Sequence, residues 1–400
     1  MGDFNLSVIL DAIRRSPDGL SRVELASIVG LAAQTVSNIC RRLLDQQLIF
    51  EAGKYGSGPG KPRTILKLSP SGMYSLGVHL DPVETNYALL DLTGAVVARR
   101  SFAASGSTEP QQVIDRIAAE IDSLITENGI DRTKIAGVGV AAPGPIDGAA
   151  GTVIEPPHMP SWGHVPLRDK LQTAVGLPVL LDKDVTAAAV AEIWSGGESG
   201  TGSFVFVYMG TGIGSGLVLD DEVVRGSSGN VGEVGYLIAD VDANQVVDGL
   251  RGRVKGVLMP ENIVAEAIAD GVSSVAAVPQ GTLHEQMKAL ADAVESGDEA
   301  AVAVMERAAG RFATIVSAQA SLLDLDHAVF GGPFWKYFEP TFLKVLPSKI
   351  AELSVTSKVH GFGVVGTHVG EDVGAVGAAC LVLEDTFGPN AASLILEASE

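Results

Sequence analysis

Four hundred residues with 46% apolar content can bury the cores of two or three domains, and no uninterrupted apolar run approaches the ~18 residues of a membrane span. Cys40 and Cys380 are the only cysteines, which excludes a disulfide framework and any zinc site of three or four thiolates and points to a reducing cytoplasm. The net charge of −20 is uneven: residues 1–70 carry nine Lys/Arg against six Asp/Glu, the remaining 330 carry 19 against 42, so any nucleic-acid contact must come from the first segment.

Met1-Gly2-Asp3-Phe4-Asn5 lacks the basic and then apolar layout of a signal peptide. Residues 4–15 read as a helix with Phe4, Val8, Ile9, Ala12 and Ile13 on one face. Ser16-Pro17-Asp18-Gly19 ends it. Ser21 caps a second helix, with Glu24 as its capping-box partner, and Gly30 closes it. A third helix, about 32–46, buries Val36, Ile39, Cys40, Leu43 and Leu44. Its other face shows Gln34, Thr35, Ser37, Asn38, Arg41 and Arg42. Residues 48–51 and 64–68, joined by a Gly-rich loop, make a two-stranded wing.

This is a winged helix-turn-helix pattern over residues 1–70. Its outer face suits the major groove, where Arg forks onto guanine and Asn or Gln onto adenine. Gly58-Pro59-Gly60-Lys61-Pro62-Arg63 is an extended basic loop able to place Lys61 or Arg63 in a minor groove. A small protein-interaction module with a solvated polar face is the alternative. Residues 69–73 read as a linker.

From Tyr74 strands alternate with helices, so a mainly α/β body over 74–400 is expected. Segments 75–80, 87–91 and 95–98 are strands, 110–128 a helix and 134–141 a strand running into Ala142-Pro143-Gly144-Pro145. Pro178-Val179-Leu180-Leu181 reads as a buried strand with proline as its first residue. It runs into Asp182-Lys183-Asp184, and an Ala-rich helix follows. An acidic residue at the carboxyl end of a strand stands where an open α/β sheet places ligand groups. A helix N-cap is the other reading of Asp184.

The next strand, 204–209, turns at Gly210-Thr211-Gly212-Ile213-Gly214 and returns as 217–219. Its glycines either admit an anion to the backbone or only make a tight hairpin. A second Gly-rich stretch spans 225–236. Helices fill about 260–270, 283–295 and 299–322, and a strand at 327–330 runs into Gly331-Gly332. No sequence repeat is visible.

These motifs together resemble the ROK family (repressor, open reading frame, kinase), in particular its sugar-sensing transcriptional regulators. The residues that carry the likeness are the N-terminal helix-turn-helix with Gly60-Lys61-Pro62, Ala142-Pro143-Gly144-Pro145 with Gly148, and Trp162 with Val165-Pro166-Leu167. Gly176-Leu177-Pro178 before Asp184, Gly210 to Gly216, Gly232-Glu233-Val234-Gly235 and Gly331-Gly332 complete it. The resemblance implies an actin-like ATPase/sugar-kinase (ribonuclease H-like) body of two α/β lobes. It puts Asp184 on the kinases' catalytic base, Glu233 on a sugar-contacting carboxylate and Gly144 on the ligand side. It puts Gly210, Thr211, Gly212 and Gly214 on a phosphate loop, and Gly331 and Gly332 on the nucleotide side.

Departures from the family pattern shape the functional expectation. The kinases' Gly-x-Asp-x-Gly-Gly-Thr phosphate turn reads here Gly77-Val78-His79-Leu80-Asp81-Pro82-Val83. Pro82 removes a backbone donor, and Asp81 with Glu84 repels phosphate. Where the family has a zinc-binding His and a Cys-rich loop, this chain has Tyr236 and no Cys over 237–262, so no metal is expected. Lys183 replaces an Asn, and His158 stands where a sugar-contacting Asn is common. Lys183 either takes an acidic or phosphorylated ligand or pairs with Asp182 or Asp184.

The expectation is a non-catalytic, cofactor-free DNA-binding regulator, a repressor in the leading reading, of carbohydrate genes. Its partners are operator DNA, a sugar or sugar derivative and its own copies as homodimer or homotetramer, without a membrane. An ATP-dependent sugar kinase with a DNA-binding head, using Asp184 as base, is the second reading. A ligand-unresponsive regulator is the third.

Overall fold

The structure, a computed structural model, describes residues 2–55, 63–103, 109–195, 200–355 and 359–388. Three helices, Gly2–Arg14, Arg22–Val29 and Ala33–Asp45, open the chain. The Ser21 side chain accepts from the Glu24 amide while the Glu24 carboxylate returns to the Ser21 amide. This closed box satisfies helix-end donors and is worth about 1 kcal/mol. Gly30 then takes a left-handed φ of 68°, and the chain turns by 118° into the third helix. Strands Ile49–Tyr55 and Arg63–Leu68 pair antiparallel as the wing, and Leu20–Ser21 adds to the inner edge.

Among the described residues the body holds two five-stranded sheets. The first runs 179–183, 135–142, 74–80, 84–91, 96–103, and the second 363–366, 327–331, 204–209, 213–219, 222–224. In both, the first three strands in chain order form an antiparallel meander and the last two lie parallel to its first strand. The lobes therefore repeat one topology, order 3-2-1-4-5, although no repeat is visible in the sequence.

Two helices, Asp184–Ser195 and Val373–Phe387, lie between the sheets and share a core with Ala88, Leu90 and Ala141 of the first and Phe204, Phe206 and Tyr208 of the second. Their contacts with each other and with the sheets are backbone to backbone. A Cβ on Gly377 would fall 1.9 Å from the Ala187 carbonyl oxygen, and one on Gly139 1.7 Å from that of Ala378. Gly216 plays the same part against the Val185 carbonyl, at 2.3 Å.

The head is docked on the body, and its core runs into Leu92, Leu383 and Phe387. Residues 69–73, expected as a linker, are held in place. Pro70–Gly72 is a short 3-10 turn, the Leu92 amide donates to the Pro70 carbonyl at 3.3 Å, and Lys134 Nζ donates to the Ser71 carbonyl at 2.8 Å. The strand before Asp184 begins at Val179 rather than Pro178.

The helix pair has no slack for a methyl group. Gly377→Ala is expected to lower stability by about 3 kcal/mol, at the top of the usual overpacking range. Urea denaturation followed by circular dichroism checks this.

Candidate functional site

Three segments converge at the seam between the lobes. Strand 179–183 delivers Lys183 and Asp184, the end of strand 135–142 leads to Gly144, and the loop after strand 222–224 delivers Glu233. Lys183 Nζ donates to Glu233 Oε1 and, at 3.2 Å, to the Val231 carbonyl. The lysine side chain is 3% exposed and the glutamate 51%, so Glu233 forms the open half of the pair. A Cβ on Gly144 would meet Lys183 Cε at 2.9 Å and Glu233 Oε1 at 3.0 Å, so glycine there makes room for the pair.

The salt-bridge reading of Lys183 thus holds with a different partner. Its ammonium goes to Glu233, 50 residues away, and not to Asp182 or Asp184. Asp182, on the opposite face of the strand, takes Arg225 Nε at 2.8 Å. Asn230 and Ile146 exchange two hydrogen bonds of 2.8 Å. Four residue pairs therefore tie the 225–236 loop of the second lobe to the first lobe.

Asp184 is the first residue of helix 184–195, and its Oδ1 accepts from the Val185 amide at 2.7 Å. Burial pushes its carboxyl above the usual range, while His79 and Lys183 pull the other way. Glu233 precedes a 3-10 turn, but its side chain makes no cap bond. His158 is exposed with a left-handed φ of 60°, and Tyr236 is 56% exposed. The Tyr236 ring lies against Lys255 Nζ at 4.2 Å and the Arg253 guanidinium at 5.3 Å. Asp248 pairs with both cations, at 2.7 and 3.0 Å. Two cations on this ring do not fit the family's zinc ion. Among the described residues no hydrogen bond or ion pair joins His158 or Tyr236 to the Lys183–Glu233 pair.

Asp81 and Thr211 join the first sheet to the hairpin of the second. Thr211 Oγ1 donates to Asp81 Oδ2 at 2.7 Å, and Asp81 Oδ1 takes the Val83 amide at 2.8 Å. The carboxylate thus bridges the hairpin hydroxyl and the backbone of its own turn. His79 is 4% exposed, packs edge-on to Tyr208 at 5.8 Å, and lies against Gly374. Burial raises the Tyr208 hydroxyl well above its ordinary value, and the charges of Asp81, Asp184, Glu84 and Asp372 add to this. Four carboxylates therefore put negative charge around the Tyr208 ring.

Of the hairpin glycines, Gly214 and Gly216 accommodate Val185 of the central helix, Gly210 lies over the Tyr208 ring, and Gly212 faces open space. Gly332, with φ 101°, abuts Met209 at the head of the hairpin, and Gly331 packs on Phe206. Packing therefore explains most of this glycine run.

On the head, Gln34, Asn38, Arg41 and Arg42 are exposed along the third helix, and Thr35 and Ser37 are half-buried beside them. Gln34 Nε2 donates to Asn38 Oδ1 at 3.2 Å. Arg63 is exposed and lies 3.6 Å from Glu24. Lys61 and the wing loop lie outside the described residues. Sequence reasoning missed Tyr208, Asp182 and Arg225. The only signal for Tyr208 was a bulky ring beside a glycine turn.

Residues 75–385 match the ROK family model. The chain belongs to the ROK family. It is 27% identical over 245 residues to the xylose repressor of Bacillus subtilis, covering 61% of this chain and 62% of that protein. It spans less than two thirds of that repressor's length. It is 22% identical over 364 residues to the DNA-binding transcriptional repressor Mlc of Escherichia coli, covering 90% and 88%. The glucokinase of Thermotoga maritima is 27% identical over 317 residues, covering 78% of this chain and 98% of the kinase. Among solved structures, a ROK family transcriptional regulator described as a homologue of the E. coli Mlc protein superposes with a TM-score of 0.80 at 21% identity, over 99% of each chain. That likeness shows the fold. The family match thus joins repressors to glucokinases.

Removing the acid that faces Lys183 leaves a buried ammonium with one carbonyl partner. Glu233→Gln is expected to cost about 2 kcal/mol, less than for a fully buried pair because Glu233 is half open to water. Thermal and urea melts at pH 7.5 check it.

Proposed function

We propose that this ROK protein is a cytoplasmic transcriptional repressor that binds operator DNA through its head and a neutral sugar between its lobes. The observation that carries the reading is the winged helix-turn-helix docked on a body whose phosphate turn is closed by a carboxylate. The Gln34, Asn38, Arg41 and Arg42 face offers donors and forks suited to base edges, and Arg63 lies at the foot of the wing. Relatives named as a xylose repressor and as the repressor Mlc support the same reading.

Asp184 and Glu233 are hydrogen-bond acceptors for sugar hydroxyls, and Gly144 leaves the approach open. Lys183 spends its charge on Glu233, which favours a neutral sugar over a phosphorylated or acidic one. His158 and Tyr236 are assigned outer positions around this site. The head reads one half-site, so at least a homodimer is required, and a homotetramer satisfies the same need. The body is assigned no kinase activity. Phosphoryl transfer depends on positioning and charge stabilisation, and here Asp81 meets the phosphate position with negative charge.

The kinase reading keeps one specific support, Asp184 at the base position with a glucokinase among the relatives. A coupled ADP-release assay with D-glucose and D-xylose separates the two. No signal above that of Asp184→Asn is expected, and turnover abolished by that substitution would restore the kinase. A regulator deaf to sugar would bind operator equally with and without either sugar.

Arg41→Ala is expected to weaken binding to an operator selected from a randomised duplex pool by about tenfold or more, within the 1–3 kcal/mol of a base contact. Fluorescence anisotropy checks this. Sugar affinity has a defined pH sign. Asp184 accepts from a hydroxyl as a carboxylate, and burial raises its carboxyl above the ordinary value. Affinity is therefore full well above that raised value and falls as the pH drops through it, beginning at a higher pH than for a surface aspartate. Calorimetric titration from pH 8 downward is expected to show this fall, and Asp184→Asn to flatten it.

A further inference from the structure

We propose that the helix pair between the sheets transmits ligand occupancy to the head as one rigid body, and that the contact of Trp194 with Arg14 is where the head receives it. This rests on the sugar-responsive reading above.

Both helices run from the ligand side to the head. Helix 184–195 begins at Asp184 and carries Trp194 at its far end, about 15 Å away at 1.5 Å per residue. Helix 373–387 begins beside His79, through Gly374, and ends with Leu383 and Phe387 in the core of the head. One end of the pair thus touches the seam and the other touches the DNA-binding unit.

The pair has nowhere to absorb a displacement along its length. Gly377 against Ala187, and Gly216 against Val185, are backbone contacts closer than any side chain permits. A shift of Asp184 on engaging a hydroxyl is carried along the helix rather than dissipated in side-chain rearrangement, because packed cores are not continuously deformable.

The receiving end is specific. The Arg14 guanidinium lies over the Trp194 ring at 4.4 Å, and its Nη1 donates to the Trp194 carbonyl at 3.5 Å. Asp11 holds the same guanidinium at 2.7 and 3.0 Å, so Arg14 is fixed to the first helix of the head and only 9% exposed. Beside this contact lies a cleft of about 640 Å³ between head and body, lined by Arg14, Arg15, Asp182, Trp194, Arg225 and Glu384. The head helix thus packs on Trp194, Leu383 and Phe387 along one side and has open space next to it. That arrangement permits a tilt about the Arg14–Trp194 contact. Asp182 and Arg225, on the cleft wall, connect to the same strand and loop that carry Lys183 and Glu233.

Trp194 touches neither the sugar site nor the DNA face, so its loss separates coupling from binding. The test measures operator affinity of the full chain by anisotropy, without sugar and with saturating D-glucose or D-xylose. Calorimetry gives each sugar's Kd. In the natural protein one of these sugars is expected to weaken operator binding at least tenfold. In Trp194→Ala that ratio is expected to fall below threefold, while the sugar Kd and the sugar-free operator Kd stay within threefold of the natural protein. Arg14→Gln, which removes the charge over the ring with a smaller change in packing, is expected to do the same and covers the case in which Trp194→Ala fails to fold. If the natural protein responds to sugar and both folded variants respond equally, the coupling proposal is overturned alone. If the natural protein binds sugar with no change in operator affinity, the sensor reading falls and the coupling with it.

Discussion

Backbone contact between the central helices is the constraint on which this molecule depends. Helices 184–195 and 373–387 approach until carbonyls stand where side chains would be, with Gly377 clearing the way, and Gly216 of the second sheet does the same against helix 184–195. Gly139 and Gly77 do the same between helix 373–387 and the first sheet, where a Cβ on Gly77 would lie 1.9 Å from the Ala375 carbonyl. Such contacts gain dispersion energy over many atoms and tolerate no added methyl group. They fix the spacing of the sheets. They also fix what stands at each end of the pair: Asp184 and His79 at the seam, and Trp194, Leu383 and Phe387 under the head.

The charges at the seam follow from that frame. A buried lysine is costly unless paired, and Glu233 supplies the pair from the other lobe. Asp81 has the opposite effect beside the hairpin, where it accepts from Thr211 and adds negative charge near Tyr208. One side of the seam keeps acceptors suited to hydroxyls. The other side has carboxylates and a buried ring facing the hairpin. Repressors and a glucokinase both stand among the chain's relatives, and this asymmetry is the physical argument behind the proposed repressor reading.

The head and much of the body were legible in the sequence because their signals are local. Ser21, Glu24 and Gly30 mark helix ends within a few residues, and Val36, Cys40 and Leu43 keep a helical rhythm. The helix Trp335–Leu353 was not legible, since Pro340 and Pro347 lie inside it. Both prolines sit on its exposed face, and tertiary packing of Phe338, Phe342, Leu346 and Ile350 overrides the breaks. The partner of Lys183 was not legible either. A local reading favours Asp182 or Asp184, but alternating side-chain direction along the strand sends Asp182 to Arg225 and leaves Lys183 facing the 225–236 loop. The repeated lobe topology lies in strand order, which the two diverged sequences do not display.

The account stands most directly on one comparison of binding. Calorimetric titration of the full chain with D-glucose, with D-xylose and with the non-hydrolysable nucleotide AMP-PNP plus magnesium separates a sugar sensor from an enzyme. The predicted result is saturable heat with at least one sugar and none with the nucleotide, whether or not that sugar is present. Nucleotide binding that strengthens once sugar is bound would contradict it, because it would show a working phosphate site where the structure places Asp81.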